Sequence, residues 1–341
     1  MRTATAPPET WVARWKRRSV TIPIALMLGS TIPIIAIGLL PVWFLTDIFV
    51  GRRFGITRTA IAFSGYGVIE VLGLVMCLLV WIATLGQEAR ALRVAYLLQA
   101  YWTYAIYRMS LFLFSCRVVV DRPYFVGDPN HIPPTITFIR HVSVFDGMLP
   151  SCLIGVPYPV RQRYVAKAEL IKDPIFDIVG QRIPSLFVHR GAGIKEELDA
   201  MRALAAGLFD NDGLVIYPEG TRFTEDRRAR LIERLRAEGD QERLASAMRL
   251  TTVMPLKLGG AIAVLEANPR ADVVFCTHAG LEKIRSIRQV LKGKLVGVEI
   301  HVRFDRTPAR DVPKDPEARK AWLTKQWEAV DAFVVAQNKN T

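Results

Sequence analysis

The sequence predicts an α/β fold, a mixed and mostly parallel sheet flanked by helices, preceded by membrane-associated helices at the N-terminus. Three observations carry this. Long apolar runs concentrate before residue 119; after it, short β-rich runs alternate with amphipathic stretches, the pattern of strands and helices in layers. The 341 residues are 51% hydrophobic yet carry a net charge of +13. That composition excludes disordered, collagen-like and disulfide-scaffold classes. A basic chain of positive mean hydropathy suits an anionic partner: a lipid surface, a nucleic acid or a phosphorylated small molecule.

Residues 1–118 read as the membrane unit. Arg14, Lys16, Arg17 and Arg18 precede an uncharged run over 20–46, longer than the roughly 20 residues a bilayer core needs. Pro23, Pro33 and Pro41 kink such a helix but are tolerated in a membrane. A second run, 60–85, contains Glu70, which needs the interface or a partner. The basic residues before the first run, and Arg90 and Arg93 after the second, favour cytoplasmic ends for a hairpin. Arg52, Arg53 and Arg58 between the runs oppose crossing, so a full hairpin and a re-entrant or interfacial pair both stay open. Residues 91–118 mix tyrosines and Trp102 with Arg93 and Arg108, as in a helix at headgroup level or one packed on the domain core.

Residues 119–341 read as the α/β unit. Strands are expected at 135–139, 163–166, 214–217, 252–256, 273–276 and 295–304. Helices are expected at 193–208 and 316–336, where apolar residues recur at helical spacing. A short helix over 144–154 should break at Pro150. Cys77, Cys116, Cys152 and Cys276 are too scattered for a disulfide framework or a metal cluster, and a reducing compartment fits them. No metal site is expected.

Two runs carry chemistry. In Arg140-His141-Val142-Ser143-Val144-Phe145-Asp146-Gly147, a continuous helix would put His141 and Asp146 about 500° apart, on different faces. A strand end followed by a helix start can pair them: Ser143 as N-cap puts Asp146 at the third helical position, and the bend before the cap brings His141 back over the first turn. The carboxylate would then hold one imidazole nitrogen and leave the other as a base. The bland alternative is a helix cap with an incidental histidine. In Tyr217-Pro218-Glu219-Gly220-Thr221-Arg222, the residues leave the carboxyl end of a strand, where open sheets build sites. Gly220 permits unusual backbone, and Arg222 offers a planar fork suited to phosphate. By itself this run could equally be an exposed turn with an ion pair.

Together, His141 to Asp146 and Glu219 to Arg222 resemble the signatures of the PlsC-type glycerolipid acyltransferases, the lysophosphatidic acid (1-acyl-sn-glycerol-3-phosphate) acyltransferase family. Two weaker blocks agree in order: Lys167-Ala168-Glu169-Leu170 through Phe187-Val188-His189-Arg190, and Val253-Met254-Pro255-Leu256-Lys257. The resemblance covers about residues 119–280. It implies transfer of a fatty acyl group from acyl-CoA or acyl-carrier protein, a co-substrate rather than a cofactor, to the hydroxyl of an anionic lysophospholipid. By the same resemblance His141 is the general base, Asp146 orients it, Arg222 and Arg190 bind the acceptor phosphate, and Glu219, Gly220 and Thr221 shape that pocket. Lys167 is a further anionic contact, while Ser143 and Pro255 are structural. Arg140 and His189 stand where the family often has Asn and an acidic residue, which would make the acceptor pocket more basic if they face it. The 32 residues between Arg222 and Pro255 resemble the longer branch that includes lysocardiolipin and lysophosphatidylinositol acyltransferases. The expected setting is a bilayer, with the catalytic domain on its cytoplasmic face. Nucleic acid is not an expected partner, since no such motif occurs; a serine hydrolase would want Gly-x-Ser-x-Gly, which is absent.

Overall fold

The structure, a computed structural model, describes residues 9–188 and 194–339. Three helices come first: α1 Trp11–Val50, α2 Gly55–Thr84 and α3 Glu88–Phe114. The sheet region follows with β1 Arg117–Arg122, β2 Thr135–Ile139, β3 Arg161–Lys167, α4 Pro174–Gly180, β4 Leu186–Val188, α5 Ile194–Ala206 and β5 Asp212–Ile216. It continues through α6 Glu225–Glu238, α7 Gln241–Arg249, α8 Leu258–Ala267, β6 Asp272–Ala279, α9 Ile287–Leu291, β7 Glu299–Thr307 and α10 Pro316–Lys339.

The strands form one sheet in the order β1-β7-β6-β2-β5-β3-β4. Among the described residues only the β6–β7 pair is antiparallel; the other neighbours run parallel. Side chains of the central strands alternate between two cores, as a sheet covered on both faces requires. Ile136, Phe138, Leu214, Ile216, Val273 and Phe275 face α5, α8 and α10. Ile139, Val215, Val274 and Cys276 face the opposite side, where Tyr107 and Phe114 of α3 join them. α3 therefore closes one face of the sheet while Leu97, Tyr101 and Phe112 stay exposed.

Three expectations need correction. Residues 252–256 form a loop, not a strand. Their donors are met by buried carboxylates instead of a ladder: Asp331 receives the Thr251 and Thr252 N–H groups, and Glu219 receives that of Met254. The last strand begins at Glu299 rather than 295, after a turn at Gly297 with φ of +75°. The segment after His141 is not one helix. It changes helical type without breaking: a 3-10 turn at Phe145–Met148 passes through the helical Leu149 and Pro150 into a π turn at Ser151–Gly155, so the break expected at Pro150 does not occur.

α1 and α2 are long and apolar enough to cross a bilayer, and their outer faces are bare: Ile37 is 73% and Phe49 86% exposed. Apolar surface on that scale is stable against lipid rather than water, and it associates the chain with a membrane. Glu70 is buried on the inner face of α2, beside Asp173 at the start of α4; the Tyr66 hydroxyl of α2 donates to Asp173.

Candidate active site

Parallel pairing aligns Phe138 of β2 with Ile216 of β5 on one side, and Ile139 with Cys276 of β6 on the other. The residues leaving these strands therefore meet at one edge of the sheet. His141 comes from β2, the Glu219–Arg222 run from β5 and His278 from β6. β3 ends at the same edge with the exposed Lys167.

His141 and Asp146 pair. His141 Nδ1 lies 2.9 Å from Asp146 Oδ1, across the 3-10 turn that bends the chain back. A carboxylate only accepts, so Nδ1 carries the proton and Nε2 keeps its lone pair. Asp146 is fully buried, and its Oδ2 accepts from the N–H groups of Val142 and Ser143, each at 2.7 Å. Burial pushes its carboxyl up, but the hydrogen bond to His141 and the backbone donors outweigh it and hold Asp146 below its ordinary range. Ser143 makes the expected cap contacts: its Oγ accepts from Phe145 N at 3.4 Å and its own N–H donates to Asp146, while its hydroxyl donates to the Ile284 carbonyl at 2.7 Å. Ser143 ties the turn to the loop after β6.

The Glu219–Arg222 run holds the backbone of His141 from both sides. Glu219 Oε1 accepts from His141 N at 2.6 Å, and Phe223 N donates to the His141 carbonyl at 2.7 Å. Glu219 Oε2 accepts from Met254 N at 2.7 Å, joining the Pro255 block to the site. Glu219 is 3% exposed; burial pushes its carboxyl up to about 8 against the pull of those two N–H groups. Both its oxygens are thus committed to backbone, and it braces the pocket rather than facing a phosphate. Gly220 has φ of +66°, and a β-carbon there would meet the Lys257 side chain at 2.6 Å. Thr221 and Arg222 are half-buried, and among the described residues no carboxylate takes the Arg222 guanidinium; Pro255 is half-buried behind Met254. Arg190 and His189 lie outside the described residues.

Arg140 does not face the pocket. It is fully buried, donating to Glu282 at 2.6 Å, to the His278 carbonyl at 2.8 Å and to the Thr252 carbonyl at 2.9 Å. Sequence reasoning also missed the Tyr217 ring, whose centroid lies 4.6 Å from that of His141 and walls one side of it. The position of Tyr217, next to Glu219 at the end of an apolar strand, is the one signal that could have found it. His278 and Glu282 have no such signal, because only strand pairing brings them here.

Residues 125–279 match the protein family described as Acyltransferase. The matched stretch holds both the His141–Asp146 pair and the Glu219–Arg222 run. Among acyltransferases it is similar to lysocardiolipin acyltransferase 1 of Mus musculus, 25% identical over 222 residues, 63% of this chain and 56% of that one. Against 1-acyl-sn-glycerol-3-phosphate acyltransferase delta of Homo sapiens it is 32% identical over 121 residues, 35% of this chain and 30% of that one. The chain thus spans little more than half of the first acyltransferase and under a third of the second. The crystal structure of the 1-acyl-sn-glycerophosphate acyltransferase PlsC from Thermotoga maritima aligns over 93% of this chain and 98% of its own, with a TM-score of 0.43 and 15% identity.

Proposed function

We propose that this protein transfers a fatty acyl group from the thioester of acyl-CoA or acyl-carrier protein to the free hydroxyl of an anionic lysophospholipid, with 1-acylglycerol-3-phosphate as acceptor and phosphatidic acid as product. The observation that carries it is the 2.9 Å bond between His141 Nδ1 and Asp146, which leaves Nε2 as the base. The acceptor hydroxyl gives its proton to Nε2 while its oxygen attacks the thioester carbonyl; the C–S bond breaks, and the thiolate takes the proton from the imidazolium. No acyl-enzyme forms. Proton transfer of this kind is worth roughly 10²- to 10⁴-fold in rate. Arg222, with Arg190 by its motif, receives the acceptor phosphate, and Lys167 lies at the same edge for a further anionic contact. A larger anionic headgroup, of the lysophosphatidylinositol or lysocardiolipin type, is a second reading; α6 and α7 between Arg222 and Pro255, and the similarity to lysocardiolipin acyltransferase 1, favour it.

The helices before residue 119 serve as the anchor and the remainder as the catalytic domain on the cytoplasmic face. α1 and α2 lie in the plane of one leaflet rather than across it. This reading rests on contacts at both ends of α1. Arg17 and Arg18 meet Asp177 of α4 at 2.7 and 3.0 Å, while Arg53, past the other end, donates to the Val296 carbonyl at 3.5 Å. About 50 Å of helix separates those ends, more than the ~30 Å hydrocarbon core, yet both touch the same sheet region.

The deciding assay offers labelled acyl-CoA with lysophosphatidic acid, lysophosphatidylinositol and lysocardiolipin in turn. One acceptor should yield an acyl ester, and His141→Ala should reduce turnover by roughly 10²-fold or more while the protein still folds and binds membranes. Ester formation from none of them would falsify the transferase reading and leave a non-catalytic lipid-binding protein. Near-normal turnover of His141→Ala would remove that histidine as base.

A further inference from the structure

A fully buried histidine ring lies behind the His141–Asp146 pair, and the reaction above does not use it. His278 of β6 is fully buried. Its Nε2 is 2.9 Å from the Arg140 carbonyl oxygen and 3.8 Å from Asp146 Oδ2. A carbonyl can only accept, so Nε2 carries the proton. Nδ1 is buried with no hydrogen-bond partner. The link to Arg140 is reciprocal: the His278 ring donates to the Arg140 carbonyl, and the Arg140 guanidinium donates to the His278 carbonyl at 2.8 Å. The peptide entering His141 is therefore clamped from behind, just as Glu219 and Phe223 clamp it from the front.

We propose that His278 is a positioning residue for His141: its Nε2–H anchors the Arg140 carbonyl and leaves the Asp146 carboxylate to the His141 ring. The charged groups facing it are Asp146 from the 3-10 turn, Arg140 from the end of β2 and Glu282 from the loop after β6. Burial is the largest influence and disfavours a proton on Nδ1; Asp146 and Glu282 pull the other way, and the Arg140 cation opposes them. A second proton would also find no acceptor within the core. Were the ring to charge, it would compete with His141 for Asp146, and the base would lose its orienting partner.

This inference rests on His141 acting as the base, so the experiment separates the two. Full-length His278→Gln keeps an N–H donor of similar reach, and His278→Leu removes it. His278→Leu should lose about tenfold or more in kcat with the acceptor KM held, because the phosphate contacts are untouched. His278→Gln should recover most of that loss. In ¹⁵N-histidine spectra, the signal lost on either substitution should keep the neutral Nε2–H form across about pH 5 to 8, a readout independent of turnover and of whether His278→Leu folds. Wild-type kcat in His278→Leu, an equal loss in folded His278→Gln, or a His278 ring that titrates in that range overturns the proposal. Retained turnover in His141→Ala instead overturns the base assignment and leaves the spectroscopic result standing.

Discussion

At Asp146 the two carboxylate oxygens divide their work. Oδ1 takes the His141 ring and Oδ2 takes the Val142 and Ser143 N–H groups, so one side chain sets both the imidazole and the loop that carries it. Its folded value lies below the ordinary 3.8. The folded chain therefore binds that proton less readily than the unfolded one, and stability is gained above 3.8 and lost as pH falls through the folded value. Asp146→Asn should melt lower than wild type at neutral pH, by about 2 kcal/mol, and the gap in melting temperature should close under strong acid. The same variant should transfer acyl groups at least about a hundredfold more slowly. Arg222→Ala should raise the acceptor KM by about tenfold or more and leave the donor KM in place; an unchanged acceptor dependence takes that arginine out of the phosphate site. His141 and Asp146 were legible because five residues of local chain hold the whole pair. Arg140 misled because its charge is visible in the sequence, whereas its partner Glu282 and the carbonyls that absorb its donors are set only by strand pairing.

Among the elements, the central strands were the most legible. β2, β5 and β6 are continuous apolar runs buried on both faces, and burial of that kind is written in composition. The edge strands were not: β4 has three residues and β1 mostly exposed ones, too little for a period to register. The loop at 252–256 looked like a strand because its β-branched and apolar residues are buried, while the carboxylates that replace its ladder lie 35 and 80 residues away. The contact of α1 with α4 was equally invisible. Asp177, fully buried, accepts from Arg17, Arg18 and Gln181. Asp177→Ala leaves Arg18 without that carboxylate and Arg17 with Glu9 alone, and should cost about 2 kcal/mol or more. It should also speed hydrogen exchange in the first turns of α1 relative to α3, as mass spectrometry would detect.

For the whole molecule, an anchor lying alongside the sheet makes a directional prediction. Single cysteines placed at Lys16 and at Arg53 should both react with a membrane-impermeant maleimide from the same side of sealed vesicles. Labelling from opposite sides would require α1 to cross. The sheet, meanwhile, links two chemical tasks through one short path. The loop bearing Arg222 grips the amide and carbonyl of His141 directly, so in the proposed reaction phosphate binding and proton removal would move as one rigid piece. That coupling works as a calliper. An acceptor is selected by the span between its phosphate and its reactive hydroxyl, and inserting one methylene into that span should slow transfer even though every charge and every acyl carbon is retained.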